Sequence, residues 1–215
     1  MLFLYKITEM NTLEHNKLEN ILHEGLSNSM SYQEYRALMD ELVATQSTTG
    51  LDKSEEIVAY TALNEQRMKR WDKTLKVSDE AQQKIASFKG DVTWLVLTES
   101  WCGDAAHVTP VIHKVAELNP NITLRMVLRD DNDALMQQFL TNGGKSIPKL
   151  IMIDNITGEV VNTFGPRPTA ATQLVEDYKA EHGSLTPEFK ETLQAWYNKD
   201  KGQNTIADLL RLLGL

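Results

Sequence analysis

The fold of this chain is decided by the stretch Leu95-Val96-Leu97-Thr98-Glu99-Ser100-Trp101-Cys102-Gly103-Asp104-Ala105. It begins as an apolar run typical of a strand, passes through Trp-Cys-Gly-Asp, and continues into a segment with helical periodicity. A strand that turns into a helix at a cysteine places the sulfur at the helix N-terminus. Free backbone N–H groups and the positive end of the helix dipole favour a thiolate there. The sequence therefore predicts that Cys102 is a nucleophile.

Composition limits the classes of protein to which this chain can belong. It has 215 residues, of which 41% are hydrophobic and 24% are charged, and this fits a folded protein of one or two domains. The formal net charge of −8 argues against nucleic acid as a partner, because DNA and RNA binding needs cations that neutralise phosphates. No apolar run approaches the ~20 residues that cross a bilayer, so no membrane partner is expected.

The cysteine content and the first residues bear on the compartment. The chain has one cysteine, which cannot form an internal disulfide. Zinc and iron–sulfur sites need several Cys or Cys/His ligands, so no metal and no cofactor are expected. The apolar start Met1–Tyr5 is shorter than a signal-peptide core and has no small-residue cleavage site. These features predict a cytoplasmic protein.

Residues 12–88 have helical periodicity throughout. Ser31 is expected to begin one helix with a capping box that Glu34 completes, and Ser54 is expected to cap a second. A third, shorter helix is expected at about 79–88. Such helices usually bury their apolar side in a core. The apolar stripe of the second helix consists of Ile57, Tyr60, Leu63, Met68 and Trp71.

The pattern changes at Asp91, where strands and helices begin to alternate. We expect Asp130 or Asp131 to cap the second of these helices. The order of elements implies an α/β fold, a mixed sheet with helices on its faces. Strands are expected at 92–98, Ile122–Leu128, Leu150–Ile153 and Glu159–Phe164, and helices at 104–118, 131–141, 169–182, 187–199 and 204–213. The predicted domains are a helical N-terminal extension at 1–88, a central domain at 89–182 and a helical C-terminal extension at 183–215.

Five landmarks occur in order in the central domain. They are Trp101-Cys102-Gly103, Pro110 within the following helix, Ile147-Pro148 before an apolar strand, Gly158-Glu159 in a turn, and Gly165. In these landmarks, residues 91–182 resemble the thioredoxin family. The Trp-Cys-Gly-Asp-Ala motif is similar to that of a single-cysteine bacterial branch of thioredoxin-like proteins. The resemblance implies a thioredoxin fold and a cis peptide bond before Pro148, beside the reactive sulfur.

Two departures from the thioredoxin pattern restrict the chemistry. The resolving cysteine of the Cys-x-x-Cys motif is replaced by Ala105, so the second step of disulfide exchange cannot be internal. The buried aspartate that the family places six residues before its first cysteine is Val96 here. Peroxiredoxins have a proline and a threonine before the reactive cysteine, and here Leu95 and Glu99 occupy those positions. The glutathione-binding element of monothiol glutaredoxins is also not seen. Ordinary dithiol reduction of disulfides is therefore not expected.

The candidate site follows from the resemblance. Cys102 is the predicted catalytic residue, and Asp104 is expected to cap the helix that follows it. Ile147 is expected to expose its backbone to an extended peptide. The predicted substrate-binding residues are Trp101, Gly103, Asp104, Ile147 and Pro148.

The acidity of Cys102 separates the possible functions. The aligned backbone amides favour a thiolate, whereas Asp104 and shielding by Trp101 oppose it, and we expect the amides to prevail and the thiol pKa to be depressed.

His107 lies five residues beyond the cysteine, points elsewhere around the helix and is a poor general base. His113 is expected on the solvent face of the same helix.

Three functions are compatible with this sequence, and whether the chain is an enzyme stays open. The leading hypothesis is monothiol redox chemistry, in which Cys102 attacks a disulfide or accepts a small thiol and an external thiol resolves the adduct. Its partners would be protein or small-molecule thiols and disulfides. The alternative is a non-catalytic module that binds a peptide or protein in a groove near Trp101 and Pro148. In a third hypothesis the cysteine pairs with another chain.

Overall fold

A four-stranded sheet forms the centre of the fold. The computed structural model describes residues 16–215, so the helical prediction for 12–15 and the apolar start Met1–Tyr5 lie outside the described residues. Its strands are β1 (Val92–Thr98), β2 (Ile122–Leu128), β3 (Lys149–Asp154) and β4 (Val160–Phe164), in the order β2-β1-β3-β4. Strand β1 runs parallel to β2 and antiparallel to β3, and β4 is antiparallel to β3. The predicted mixed sheet is confirmed.

Helices cover both faces of this sheet, and the expected helical segments before and after it are present. Helices α1 (16–27) and α6 (Asp133–Gln138) lie on one face of the sheet. Helices elsewhere in the described chain are α2 (Tyr32–Ala44), α3 (Glu55–Thr74), α4 (Asp79–Ser87), α5 (Gly103–Ala116), α7 (Thr169–His182), α8 (Pro187–Asp200) and α9 (Gln203–Leu212). None of the helices between residues 16 and 215 is long and apolar enough to cross a membrane.

Strand β1 lies at the centre of both cores. All of its residues are buried, as expected for a strand that is covered on both faces. Because side chains alternate along a strand, Trp94 and Val96 pack into the core beneath α2, α5 and α9. Leu95 and Leu97 pack into the opposite core with α1 and α6. The strand therefore ends, just before Cys102, in a position fixed from both sides.

Helix α3 buries only part of the apolar stripe expected from the sequence: Met68 and Trp71 are buried, but the N-terminal part of the stripe is not. The expected stripe residues Tyr60 and Leu63 are 39% and 41% exposed. Polar side chains take their place because they have partners: Asn64 donates to the backbone carbonyl of Ser100, and Glu65 pairs with an arginine of α2. The buried side chains of α3 are Thr61, Asn64, Glu65, Met68 and Trp71.

Of the two serines expected to cap helices, one makes the expected capping hydrogen bonds and the other does not. Ser31 and Glu34 form the expected capping box, in which Glu34 N donates to Ser31 Oγ at 3.2 Å and Ser31 N donates to Glu34 Oε2 at 2.6 Å. Ser54 also stands at the start of its helix, α3, but its side chain makes no capping hydrogen bond. Its own backbone N–H donates to Asp52 instead, at 2.9 Å.

The helix expected at 131–141 is shorter than predicted, and its expected cap is wrong. Helix α6 covers Asp133–Gln138, and Asn132 occupies the position before it without a side-chain capping bond. Asp130 cannot serve as the cap because its carboxylate pairs with Arg129 at 2.7 Å. The residues after α6 form a turn closed by a bridge between Thr141 and Gly144.

The two serines at helix starts give a matched pair for a stability measurement. Ser31→Ala should lower the free energy of unfolding by about 1 kcal/mol, because it removes an acceptor for the first-turn N–H groups of α2. Ser54→Ala should leave it nearly unchanged, because its hydroxyl makes no such bond. Urea unfolding of both variants measures the difference, and equal losses would contradict this account of the caps.

Candidate functional site

The sulfur of Cys102 lies at the N-terminus of α5, as the sequence predicts, and Cys102 itself occupies the N-cap position. The N–H of Ala105 points toward the sulfur at 3.5 Å. On the opposite side the thiol donates a hydrogen bond to the carbonyl oxygen of Ile147, with 3.3 Å between Sγ and O. Cys102 is 9% exposed. The sulfur is therefore enclosed between the first turn of α5 and the segment that leads into β3.

The expectation of a depressed thiol pKa is wrong. Burial raises the pKa of the Cys102 thiol to about 12, and the neighbouring Asp104 carboxylate acts in the same direction. The N–H groups of Ala105 and Asp104 and the charge of Arg167 lower the pKa, but they do not compensate for the loss of water around the sulfur. The resting side chain is a protonated thiol whose hydrogen is used in the bond to Ile147.

Asp104 does not cap α5, contrary to the sequence-based expectation. Cys102 holds the cap position, and Asp104 is the second residue of the helix. Its carboxylate accepts a hydrogen bond from the hydroxyl of Tyr197 at 2.8 Å and pairs with Arg167 Nη2 at 2.6 Å. Burial raises the pKa of Asp104, while Arg167 and Tyr197 lower it. Because Tyr197 belongs to α8, the C-terminal extension contributes directly to the site.

His107 is held as a neutral ring one turn further along α5. Trp71 Nε1 is a donor only, so the ring accepts at Nδ1 over 2.9 Å and its protonated Nε2 donates to Gln194 Oε1 at 2.7 Å. Tyr197 stacks on the ring with 4.5 Å between centroids. Burial lowers the pKa of His107 to about 3. With both nitrogens occupied, the ring has no free base to offer at neutral pH.

His113 is half-buried and not on an open solvent face as expected. Helix α2 covers this side of α5, and the ring of Tyr32 stacks on His113 with 4.0 Å between centroids. Gln33 Nε2 lies 3.2 Å from His113 Nε2. The sequence contained no signal for this packing, because it depends on where α2 lies relative to the sheet.

Trp101 stands half-buried beside the thiol. The guanidinium carbon of Arg129 lies 4.9 Å from the ring centroid, which is cation–π distance. The loop before α3 reaches the same ring: a Cβ at Gly50 would lie 3.2 Å from Trp101 Nε1. Gly50 also has a φ of +75°, so two separate constraints favour glycine at this point.

Gly103 is the first residue of α5 and lies close to two polar side chains. A Cβ at this position would be 3.6 Å from Arg67 Nη1 and 3.7 Å from Gln194 Nε2. Arg67 belongs to α3 and Gln194 to α8. Helices from before and after the central domain therefore meet at the start of α5.

Ile147 and Pro148 lie against the thiol, and the peptide bond between them is cis. Both residues are buried, with Ile147 5% exposed. The sequence led us to expect that Ile147 exposes its backbone to a bound peptide. In the structure Ile147 is buried and its carbonyl accepts from the Cys102 thiol, so this backbone is less open than expected.

A buried cluster of hydroxyl groups, which sequence reasoning missed, holds the loop before the thiol. Ser100 is 1% exposed, and its Oγ lies 2.8 Å from Thr61 Oγ1 and 3.0 Å from Thr48 Oγ1. The same Oγ accepts from Thr49 N at 3.0 Å, while Asn64 donates to the Ser100 carbonyl at 2.9 Å. The available signal was the polar pair at 61 and 64, one helical turn apart on α3.

A surface groove of about 430 Å³ opens elsewhere, between α2, α3 and α5. Its lining includes Tyr32, Arg36 and Asp72, and these side chains pair with one another: Asp72 accepts from Tyr32 at 2.8 Å and from Arg36 at 3.1 Å. Because these three side chains already satisfy one another, this groove is a weaker candidate than the surroundings of the thiol. No group of three or more His, Cys, Asp and Glu side chains within residues 16–215 is placed to hold a metal ion.

Comparison with protein families agrees with the geometry. A family model described as thioredoxin matches residues 50–179, more than half of the chain. The chain belongs to the thioredoxin family. The match contains the whole sheet and the cysteine, and it begins at Gly50, before α3. The helix that supplies Thr61, Asn64 and Arg67 thus lies inside the family match.

Two solved structures are similar to this thioredoxin-family chain. One is a 1.5 Å crystal structure of a protein of unknown function from Pseudomonas aeruginosa, with a TM-score of 0.62 and 17% identity over 89% of this chain and 96% of that one. The other is an HIV epitope-scaffold, with a TM-score of 0.55 and 18% identity over 86% of this chain and 98% of that one. At these identities the likeness shows the fold alone. No curated protein matches the chain.

The hydroxyl cluster predicts a large effect for one small substitution. Ser100→Ala should lower the free energy of unfolding by about 1–3 kcal/mol, because it leaves buried hydroxyl and N–H groups without their shared partner. Ser87→Ala, which removes an exposed hydroxyl at the end of α4, is the matched control and should have little effect. Chemical unfolding measures both, and a neutral Ser100→Ala would show that the cluster does not support the loop.

The charge beside the thiol predicts the direction of a pH shift. Asp104→Asn removes a negative charge that raises the thiol pKa, so alkylation of Cys102 should extend to lower pH and become about three- to tenfold faster at pH 8. Asp177→Asn, on the exposed side of α7, should leave the rate unchanged. Mass spectrometry of the alkylated protein gives the rates, and a slower Asp104→Asn variant would contradict the assignment.

Proposed function

We propose that this thioredoxin-family protein works as a binding module, in which a segment of a partner protein docks beside Trp101, and not as a thiol catalyst at neutral pH. One observation carries the proposal: Cys102 is 9% exposed and its thiol hydrogen is bound to the Ile147 carbonyl. A nucleophilic cysteine needs a thiolate and access for its target. The resting site provides neither.

The groups that complete a dithiol cycle are also missing near the sulfur. Ala105 takes the place of the resolving cysteine, and Val96 takes the place of the family's buried aspartate. The buried acid that is present, Asp104, pairs with Arg167 and raises the pKa of the thiol. Each of these features acts against dithiol turnover.

The surroundings of the thiol suit recognition of another protein. Trp101 offers a flat aromatic face whose position is fixed by Arg129 and by the loop at Gly50. Preorganised side chains lose little entropy on binding, which favours affinity. In this proposal Gly103 gives a partner close approach to the backbone of α5, and the pair Ile147-Pro148 forms the floor of the site.

Monothiol exchange is the second candidate, and one contact favours it. The N–H of Ala105 points at the sulfur from 3.5 Å, so a thiolate formed there would gain a hydrogen bond. In exchange the Cys102 thiolate attacks a partner disulfide, the S–S bond breaks, and one partner sulfur leaves as a thiolate. An external thiol then attacks the mixed disulfide and releases Cys102. The first step requires that the sulfur leave Ile147 and become accessible.

Alkylation kinetics separate the two candidates. At pH 7 the folded protein should react with iodoacetamide at least about 100-fold more slowly than the same chain unfolded in urea, where an ordinary thiol titrates near pH ~8.5. Because burial raises the pKa of Cys102 to about 12, the rate of the folded protein should still be rising at about pH 10, where the rate of the unfolded chain has levelled off. Cys102→Ser gives the background, since the chain has no other cysteine. Fast alkylation of the folded protein at neutral pH would overturn the binding-module proposal and favour monothiol exchange.

A further inference from the structure

A second surface groove, of about 410 Å³, opens between the C-terminal ends of α3 and α8. Its cations come from separate parts of the chain: Arg70 belongs to α3, Lys76 precedes α4, and Lys201 directly follows α8. Among the residues that the structure describes, no aspartate or glutamate lines it. We call it the α3–α8 groove and define it by Arg70, Trp71, Lys76, Asn198, Lys201 and Gln203.

The groove between α2, α3 and α5 shows that such a lining is not general for this surface. Its volume is similar, about 430 Å³, but acids and bases line it together. There Arg36 pairs with Asp72 at 3.1 Å and Lys114 pairs with Glu117 at 2.5 Å. The chain has 30 acidic and 22 basic side chains, so a groove lined by cations without acids stands out against the composition.

The cations of the α3–α8 groove keep their charge uncompensated. Within residues 16–215, none of the three forms an ion pair with a carboxylate. Arg70 donates to the amide oxygen of Asn198, and its guanidinium carbon lies 5.3 Å from the centroid of the Trp71 ring. Burial lowers the pKa of Arg67, one turn earlier on α3, and the charge of Arg70 lowers it further. An anion in the groove would relieve this repulsion.

The acids nearest to these cations in the sequence lie outside the groove. Asp200, at the end of α8, accepts from the N–H of Asn204 at 3.2 and 3.1 Å with its two oxygens. Asp72 pairs with Arg36 in the other groove. Asp79 belongs to the first turn of α4 and is not part of the lining. None of these carboxylates therefore takes the place of a bound anion.

The backbone of the α3–α8 groove is held in place by hydrogen bonds. Gln203 Nε2 donates to the backbone carbonyls of Lys76 and Lys201, at 3.1 and 3.2 Å. The wall at Trp71 is fixed as well, because its Nε1 donates to His107 at 2.9 Å. A framework that is ordered in advance loses little entropy when a ligand binds.

We propose that the α3–α8 groove binds a small molecule that carries a phosphate monoester. This group has a charge of about −1.5 to −2 at pH 7, which three cations match better than they match a single carboxylate. The guanidinium of Arg70 has a planar set of donors that suits phosphate, and Lys76 and Lys201 add point charges. The rest of the molecule lies against Trp71 and the aliphatic parts of the lysines.

Size and charge favour a small ligand over a polymer. The volume of the groove is within the range of small-molecule sites, about 300–1,000 Å³. A nucleic acid would extend beyond the groove over a chain with a net charge of −8, which repels it. The site is separate from the thiol, so this proposal does not rest on the binding function proposed for the surroundings of Cys102.

Isothermal titration calorimetry of the full chain tests this proposal with four ligands. Glucose 6-phosphate and inorganic phosphate carry the proposed group, glucuronate carries a carboxylate in its place, and glucose carries neither. We expect both phosphates to bind and their binding to weaken as salt is added. Glucuronate should bind at least about fivefold more weakly than glucose 6-phosphate, and glucose should not bind.

Matched variants locate the binding. Arg70→Gln should weaken the binding of glucose 6-phosphate about five- to tenfold, because it removes a cation that contacts the phosphate. Lys201→Asn should act in the same direction without lowering the melting temperature, because asparagine tolerates the φ of +57° at this position. Lys190→Gln removes an exposed charge at the other end of α8 and should leave the affinity unchanged.

Four results would overturn the proposal. Neither phosphate binds, or glucuronate binds as tightly as glucose 6-phosphate. Inorganic phosphate binds without glucose 6-phosphate, which would indicate an adventitious ion only. Arg70→Gln and Lys201→Asn both fold and both keep the full affinity, which would place the ligand elsewhere. Arg70→Lys keeps the charge and should retain most of the affinity, and the melting temperature of each variant monitors its folding.

Discussion

The hydrogen bond from the Cys102 thiol to the Ile147 carbonyl brings three parts of the chain to one point. The sulfur can lie between Ala105 N–H and this carbonyl only if α5 starts directly after β1 and the segment before β3 passes beside it. The sheet meets this condition because β1 and β3 are neighbours and antiparallel, with Leu97 opposite Lys149. The end of one strand and the start of the other are thereby adjacent, and the rest of the site is arranged around that junction.

Two opposing effects act on the sulfur, and their magnitudes explain why it stays protonated. A charge at a helix end gains about 0.3–1 kcal/mol from the helix dipole at an exposed position. Full burial shifts the pKa of an ionisable group by up to about 3–5 units, and each unit corresponds to about 1.4 kcal/mol. Enclosure by α5 and by Ile147 therefore outweighs the favourable amides. The same helix terminus in an open site would give the opposite result.

The parts of this structure that are visible in the sequence are those set by local patterns. The apolar run of β1, the capping box at Ser31 and the placement of Cys102 at a helix N-terminus each depend on residues a few positions apart, and each is confirmed. The partners of Asp104 could not be predicted, because Tyr197 and Arg167 lie more than sixty residues further along the chain. Without those long-range contacts, an aspartate in a first helical turn is indistinguishable from a cap.

Long-range contacts also explain why the helices outside the central domain matter for the site. Helix α3 holds the loop before the thiol through Thr61 and Asn64, and α8 reaches the first turn of α5 through Tyr197 and Gln194. Buried polar contacts of this kind fix one arrangement, because any displacement leaves groups without partners. Thiol exchange depends on access to the sulfur, whereas such support on both sides stabilises a closed thiol and a rigid surface around it. This rigid enclosure of the sulfur is the structural basis of the binding function that we propose.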